Sequence, residues 1–266
     1  LMFSAISAIH HETAMSLGNA VGSIICNTGF ILAICNLIKP SKITSRFFYL
    51  KGVLLLMYLI ILWVLGAKGV IGHFSSIALF SMLIIYILLN LEIVRYKIGN
   101  SKNTKDEKEG RSLSFKKIVL QIFQFFFGAL LILVGAHLLV DYGVIIAEYW
   151  SVPPGIISLT IIALGTSLPE LITSISSLKK GHAELALGNI LGANILNITL
   201  TIGVSANFND LIVNHQSIYL DIPMAFLINF LLIVPALYNK KISRFQAFIL
   251  LFVYLLYTSF LFIYHV

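Results

Sequence analysis

The sequence predicts an all-α polytopic membrane protein folded as an inverted repeat. Three observations carry this: the composition, a series of long apolar runs, and a polar motif that occurs twice. Of 266 residues, 59% are hydrophobic and 11% charged, and the mean hydropathy is +0.96. Soluble domains are about 45–50% apolar and about 25% charged. The formal charge of +7 is therefore no sign of nucleic-acid binding, because the basic residues lie in loops between apolar runs.

Residues 1–10 read as the end of a helix. Whole apolar runs follow at 15–38, 47–66, 70–94, 117–140, 153–178, 184–206, 216–238 and 244–265. Each has the roughly 20 residues needed to cross ~30 Å of hydrocarbon. The long polar segment 97–116 divides the chain into a first half, 1–96, and a second half, 117–266. Basic residues set the orientation. Those at 39–51, 95–117, 179–180 and 240–244 fall on one side of an alternating topology, and only Lys68 falls on the other. The expectation is cytosolic basic loops, a cytosolic linker 97–116 and an outside C-terminus. Cys26 and Cys35 are nine positions apart on one span and face opposite ways, which excludes a mutual disulfide.

The repeat emerges on comparing the chain with itself. The stretch from Ser16 to Asn27 matches Ala186 to Asn197 at an offset of 170. The two copies lie on spans entered from opposite sides, so their topologies are inverted, as in many secondary transporters. Asn189, Ala193 and Asn197 fall on one helix face at i, i+4 and i+8. Gly188 and Gly192 make that face thin enough for another helix to approach. Asn19, Ser23 and Asn27, with Gly18 and Gly22, repeat the pattern.

The span 153–178 carries the chemistry. Glu170 lies near its middle, where a carboxylate is costly and marks a functional site. Pro169 removes a backbone donor and interrupts the helix, which frees carbonyls and the hydroxyls of Thr166 and Ser167 for a hard cation. Hydrolytic chemistry needs paired carboxylates, a nucleophile with its base, or a metal with open positions. One carboxylate among hydroxyls and amides argues against an enzyme. Asp221 is expected as a snorkelling or capped acid near the outer end of its span, and His10, His11 and His182 as solvated loop residues.

Gly165-Thr166-Ser167-Leu168-Pro169-Glu170-Leu171-Ile172-Thr173-Ser174, with Gly188-Asn189 through Asn197, resembles the cation/calcium exchanger superfamily, specifically prokaryotic sodium/calcium exchangers. The resemblance implies ten helices in two inverted halves, with the ion site between the second and third helix of each half. It implies exchange of several sodium ions for one calcium ion; relatives use protons or potassium. By position, the acidic ligand falls on Glu170, and hydroxyl or carbonyl ligands fall on Ala163, Thr166 and Ser167. The strips supply Gly22, Ser23 and Asn27 on one side, and Gly192, Ala193 and Asn197 on the other. Ala193 stands where serine is commoner and cannot ligate through its side chain. Asn197 is a neutral amide where some relatives have aspartate. Ile24 stands where the second copy has Asn194.

The partner of Glu170 at an offset of 170 would precede Leu1. The resemblance therefore leads us to expect a first repeat that lacks helix one and the first half of helix two. It implies a lipid bilayer and transported calcium and sodium ions as partners, and no cofactor. Proton coupling and a non-transporting remnant are the alternative readings.

Overall fold

The computed structural model describes residues 1–43, 46–100, 124, 127, 128, 130, 131, 134, 135, 138, 141–146 and 149–264. The expected linker beyond residue 100 and most of the expected span 117–140 lie outside the described residues.

The helices whose bounds fall within the described residues are α1 (Met2–Ile9), α2 (Thr13–Ile38), α3 (Arg46–Gly66), α4 (His73–Asn100), α5 (Pro154–Thr166), α6 (Leu168–Lys179), α7 (Ala183–Phe208), α8 (Ser217–Asn239) and α9 (Arg244–Tyr264). Six of them, α2, α3, α4, α7, α8 and α9, contain runs long and apolar enough to cross a membrane. The pair α5 and α6 forms a broken seventh span, bent by 41°. The break falls at Ser167, and Pro169 takes a first-turn position of α6. There its missing N–H costs no hydrogen bond, since first-turn donors have no intrahelical partner.

α2 and α7 form the centre. In α2, 78% of the apolar window is buried, and in α7 61%, against 17% in α4. α5 crosses α2, and α6 packs along α7. α3, α8 and α9 surround them, and α4 presents Phe74, Ile77, Ile84, Leu88 and Leu91 outward. Apolar side chains facing lipid are what a bilayer solvent requires, so their exposure is no defect.

The offset of 170 reappears in the backbone. α2 widens to π-type bonding over Asn27–Leu32, and α7 does so over Asn197–Thr201, each segment starting at a repeat-related asparagine. α1 and α6 end in matching turns. The Glu12 amide donates to the Ser7 carbonyl at 2.8 Å and the His182 amide to the Ser177 carbonyl at 2.9 Å. His11 and Gly181 share a left-handed conformation, with φ of 65° and 83°. Glycine adopts this geometry without strain.

Four two-residue strands complete the symmetry: β1 (Ser41–Lys42), β2 (Val70–Ile71), β3 (Leu211–Ile212) and β4 (Lys241–Ile242). β1 pairs antiparallel with β4, and β2 with β3. The offset of 170 maps β1 onto β3, and an offset of 171 maps β2 onto β4, so the two ladders exchange under the repeat. The expected span at 70–94 begins at His73 because Val70 and Ile71 are held in β2. The β1–β4 ladder joins two basic loops. The Ile43 amide donates to the Lys240 carbonyl at 2.9 Å, and Arg244 reaches the Ile38 carbonyl at 3.4 Å.

Candidate functional site

The crossing of α2 and α5 is set by glycine. A Cβ at Gly18 would stand 2.8 Å from the Gly155 carbonyl oxygen, and one at Gly22 would collide with the backbone of Leu159. This approach brings the polar strip of α2 against the last turn of α5. Thr166 donates to Asn19 Oδ1 at 2.9 Å, with the Ala163 carbonyl at 3.2 Å, and Ser23 Oγ lies 3.4 Å away. With the Thr166 hydrogen directed to these acceptors, Ser23 acts as the donor to Thr166. Asn19 in turn donates to Ser4 Oγ at 2.9 Å. The Ser167 amide returns to the Ala163 carbonyl at 3.1 Å, which closes α5 before the break. Ala163, Ser167, Ser23 and Gly22 are buried, and Thr166 is half-buried.

Glu170 follows in the first turn of α6. The spacing Ser167-x-x-Glu170 is that of a capping box, in which both side chains would bond to the helix's own free amides. Neither does: the start of α6 has no side-chain cap. The Glu170 side chain instead lines a cavity of about 1230 Å³, whose wall includes Lys39, Lys42, Tyr86, Asn189, Gly192 and Ala193. Its Oε2 is buried and has no hydrogen-bond partner among the described residues. A buried carboxylate oxygen without a donor is costly unless a cation meets it.

Asn27 lies on the π segment of α2, against which α6 packs. It is 1% exposed. Its Nδ2 donates to Asn194 Oδ1 at 3.0 Å, while its Oδ1 has no partner among the described residues. Asn197 is half-buried, and Thr201 Oγ1 is 3.5 Å from its Oδ1. The structure thus groups Gly22, Ser23, Ala163, Thr166 and Ser167 at one crossing, and Glu170 with Gly192 and Ala193 on the cavity wall. Asn27 sits where α6 meets α2, while the bond from Thr201 ties Asn197 to its own helix. A Cβ at Gly192 would stand 2.9 Å from the Tyr86 hydroxyl.

Thr28 and Asn229 escaped the sequence reading, and Asn194 entered it only as the counterpart of Ile24. Their signal was weak but present: Asn229 is an amide in the middle of the apolar run 216–238. Asp221, expected as a snorkelling or capped acid, does not snorkel: it is 2% exposed, and its Oδ1 accepts from Tyr257 at 2.8 Å and Gln216 at 3.3 Å. Asn209 Nδ2 lies 2.6 Å from Nδ1 of the exposed His11. Both cysteines are free and buried.

Comparison with known proteins agrees with this architecture. The family model described as sodium/calcium exchanger protein matches residues 1–92 and 120–263. An uncharacterized membrane protein of Methanocaldococcus jannaschii is 30% identical over 262 residues, covering 96% of this chain and 80% of the relative. Sodium/calcium exchanger MaX1 of Methanosarcina acetivorans is 25% identical over 297 residues, covering 98% and 84%. A solved structure of the sodium-calcium exchanger NCX_Mj, soaked with sodium and strontium, superposes with a TM-score of 0.69. It has 27% identity and covers 97% of this chain and 80% of that one. The inverted helical fold and the family match lead to one conclusion: this chain belongs to the sodium/calcium exchanger family and is a multi-pass ion transporter, not an enzyme.

Proposed function

We propose that the protein exchanges calcium for sodium across a cell membrane, at a midplane site where the α5–α6 break meets α2 and α7. Glu170 supplies the charge. Thr166, Ser167 and the Ala163 carbonyl supply oxygens from the break, Gly22, Ser23 and Asn27 from α2, and Gly192 and Asn197 from α7. The observation that carries this reading is the buried Glu170 oxygen beside a cavity, without a partner among the described residues, in a helix start that does not use it as a cap. A divalent ion leaving water needs several oxygens and anionic compensation, and a broken helix between two inverted halves offers both. The halves 1–96 and 117–266 are joined by a cytosolic segment in this reading. The hydrogen-bonded pairing of two basic loops at one end of the bundle supports a cytosolic basic face.

The test is calcium flux in proteoliposomes carrying an imposed sodium or proton gradient. An outward sodium gradient is expected to drive calcium uptake, and a proton gradient alone is not. Uptake that follows only the proton gradient would reassign the coupling ion.

A further inference from the structure

A chain of buried amides and hydroxyls runs from α8 through α2 and α7 to Asn27. Its direction can be read from one end. Asn229 Nδ2 donates to the Ala225 carbonyl at 2.8 Å. A carbonyl can only accept, so Asn229 cannot be turned over, and its Oδ1 must face the other way. That oxygen accepts the Thr28 hydroxyl at 2.9 Å. Thr28 Oγ1, having given its only hydrogen, accepts from Asn194 Nδ2 at 2.9 Å. Asn194 Oδ1 then faces Asn27 and accepts from its Nδ2 at 3.0 Å. Each link forces the polarity of the next. The last atom, Asn27 Oδ1, is left buried and without a partner among the described residues.

We infer that Asn229, Thr28 and Asn194 are positioning residues, a one-way relay that holds the Asn27 amide with its oxygen directed away from Asn194 and free for the transported cation. The inference rests on the ion site proposed above. An amide free to turn must be ordered by the cation itself, at a cost to binding. A locked amide presents the oxygen before the ion arrives, so the ordering cost is met by folding and not by binding.

The relay serves one half of the molecule only. At an offset of 170 its members correspond to Leu59, Ile198 and Ile24, none of which can hydrogen-bond through its side chain. Asn197, the counterpart of Asn27, has only the long 3.5 Å contact from Thr201 on its oxygen. The two asparagines are therefore unequal ligands: Asn27 is held through its Nδ2 by the relay, whereas Asn197 is held through its oxygen by the one long contact from Thr201.

The test is calcium binding to the purified protein in detergent, with melting temperature recorded alongside. Thr28→Val keeps shape and removes the hydroxyl; Thr28→Ser keeps the hydroxyl. Thr28→Val is expected to weaken calcium binding about five- to tenfold, the worth of roughly one buried hydrogen bond. Thr28→Ser is expected to bind like wild type, which a packing role for the methyl group would not allow. If Thr28→Val does not fold, Asn229→Leu opens the same relay one link further out and is read in the same way. Wild-type affinity in Thr28→Val, with binding lost in Glu170→Gln, overturns the relay and leaves the site standing. Equal losses in Thr28→Val and Thr28→Ser also overturn the relay. Wild-type binding in Glu170→Gln overturns the site and the relay with it.

Discussion

Glu170 stands three residues after Ser167, a spacing that at many helix starts closes a capping box, yet neither side chain caps α6. An acid within an apolar run that leaves such bonds unmade is available to a ligand. Exchange of its charge for an amide in Glu170→Gln is expected to abolish calcium binding and leave the fold intact, as isothermal titration and thermal melting together would show. The amide keeps the volume and one oxygen but not the charge that a divalent ion needs. Glu170 Oε2 is buried without a hydrogen-bond partner among the described residues, so loss of the charge is expected to leave the melting point of the empty protein unchanged or raised. If Glu170 served only the helix, calcium would still bind, and stability would fall by roughly 1 kcal/mol.

The repeated glycines have different tasks on the two central helices. Gly22 lies against the Leu159 backbone, and this contact holds Ser23 beside Thr166. Gly188 has nothing within 4 Å of the position a Cβ would take. Gly22→Ala should therefore force α2 off α5 and cost about 1–3 kcal/mol, the usual cost of overpacking. Gly188→Ala should be neutral, or stabilise by up to about 1 kcal/mol through helix propensity. Unfolding of the two variants in detergent checks the contrast; equal effects would mean that α2 and α5 are not locked at Gly22. The sequence showed two equal Gly-x-x-x-Gly strips. Only the packing shows that one is clamped by a backbone and the other faces a cavity.

At the scale of the molecule, the two strand ladders mark opposite ends of the bundle. β1 and β4 join basic loops at one end, and β2 and β3 join the Val70 and Leu211 loops at the other. Lys42 and Ile212 are both exposed, and the native cysteines are buried, so single cysteines at these two positions report the orientation cleanly. Lys42→Cys is expected to react with an impermeant thiol reagent only after the cells are opened. Ile212→Cys is expected to react from outside intact cells. The reverse pattern would invert the topology and place the basic loops outside.

The sequence by itself determined the apolar runs, the break near Pro169, the repeat at an offset of 170 and the place of Glu170 within one such run. Hydrocarbon thickness dictates how long an apolar run must be, and a carboxylate within one is visible without knowing its neighbours. What the tertiary structure decided was partnership. Ser23 and Thr166 are 143 positions apart, and Asn27 and Asn194 are 167 apart. Nothing local says which polar groups meet once helices cross. The π segments at Asn27 and Asn197 leave no periodic trace, because one widened turn only rotates the residues beyond it. The two-residue ladders are too short for strand patterning to register. The direction of the Asn27 amide belongs wholly to the fold: it is set by a backbone carbonyl on α8, four hydrogen bonds away.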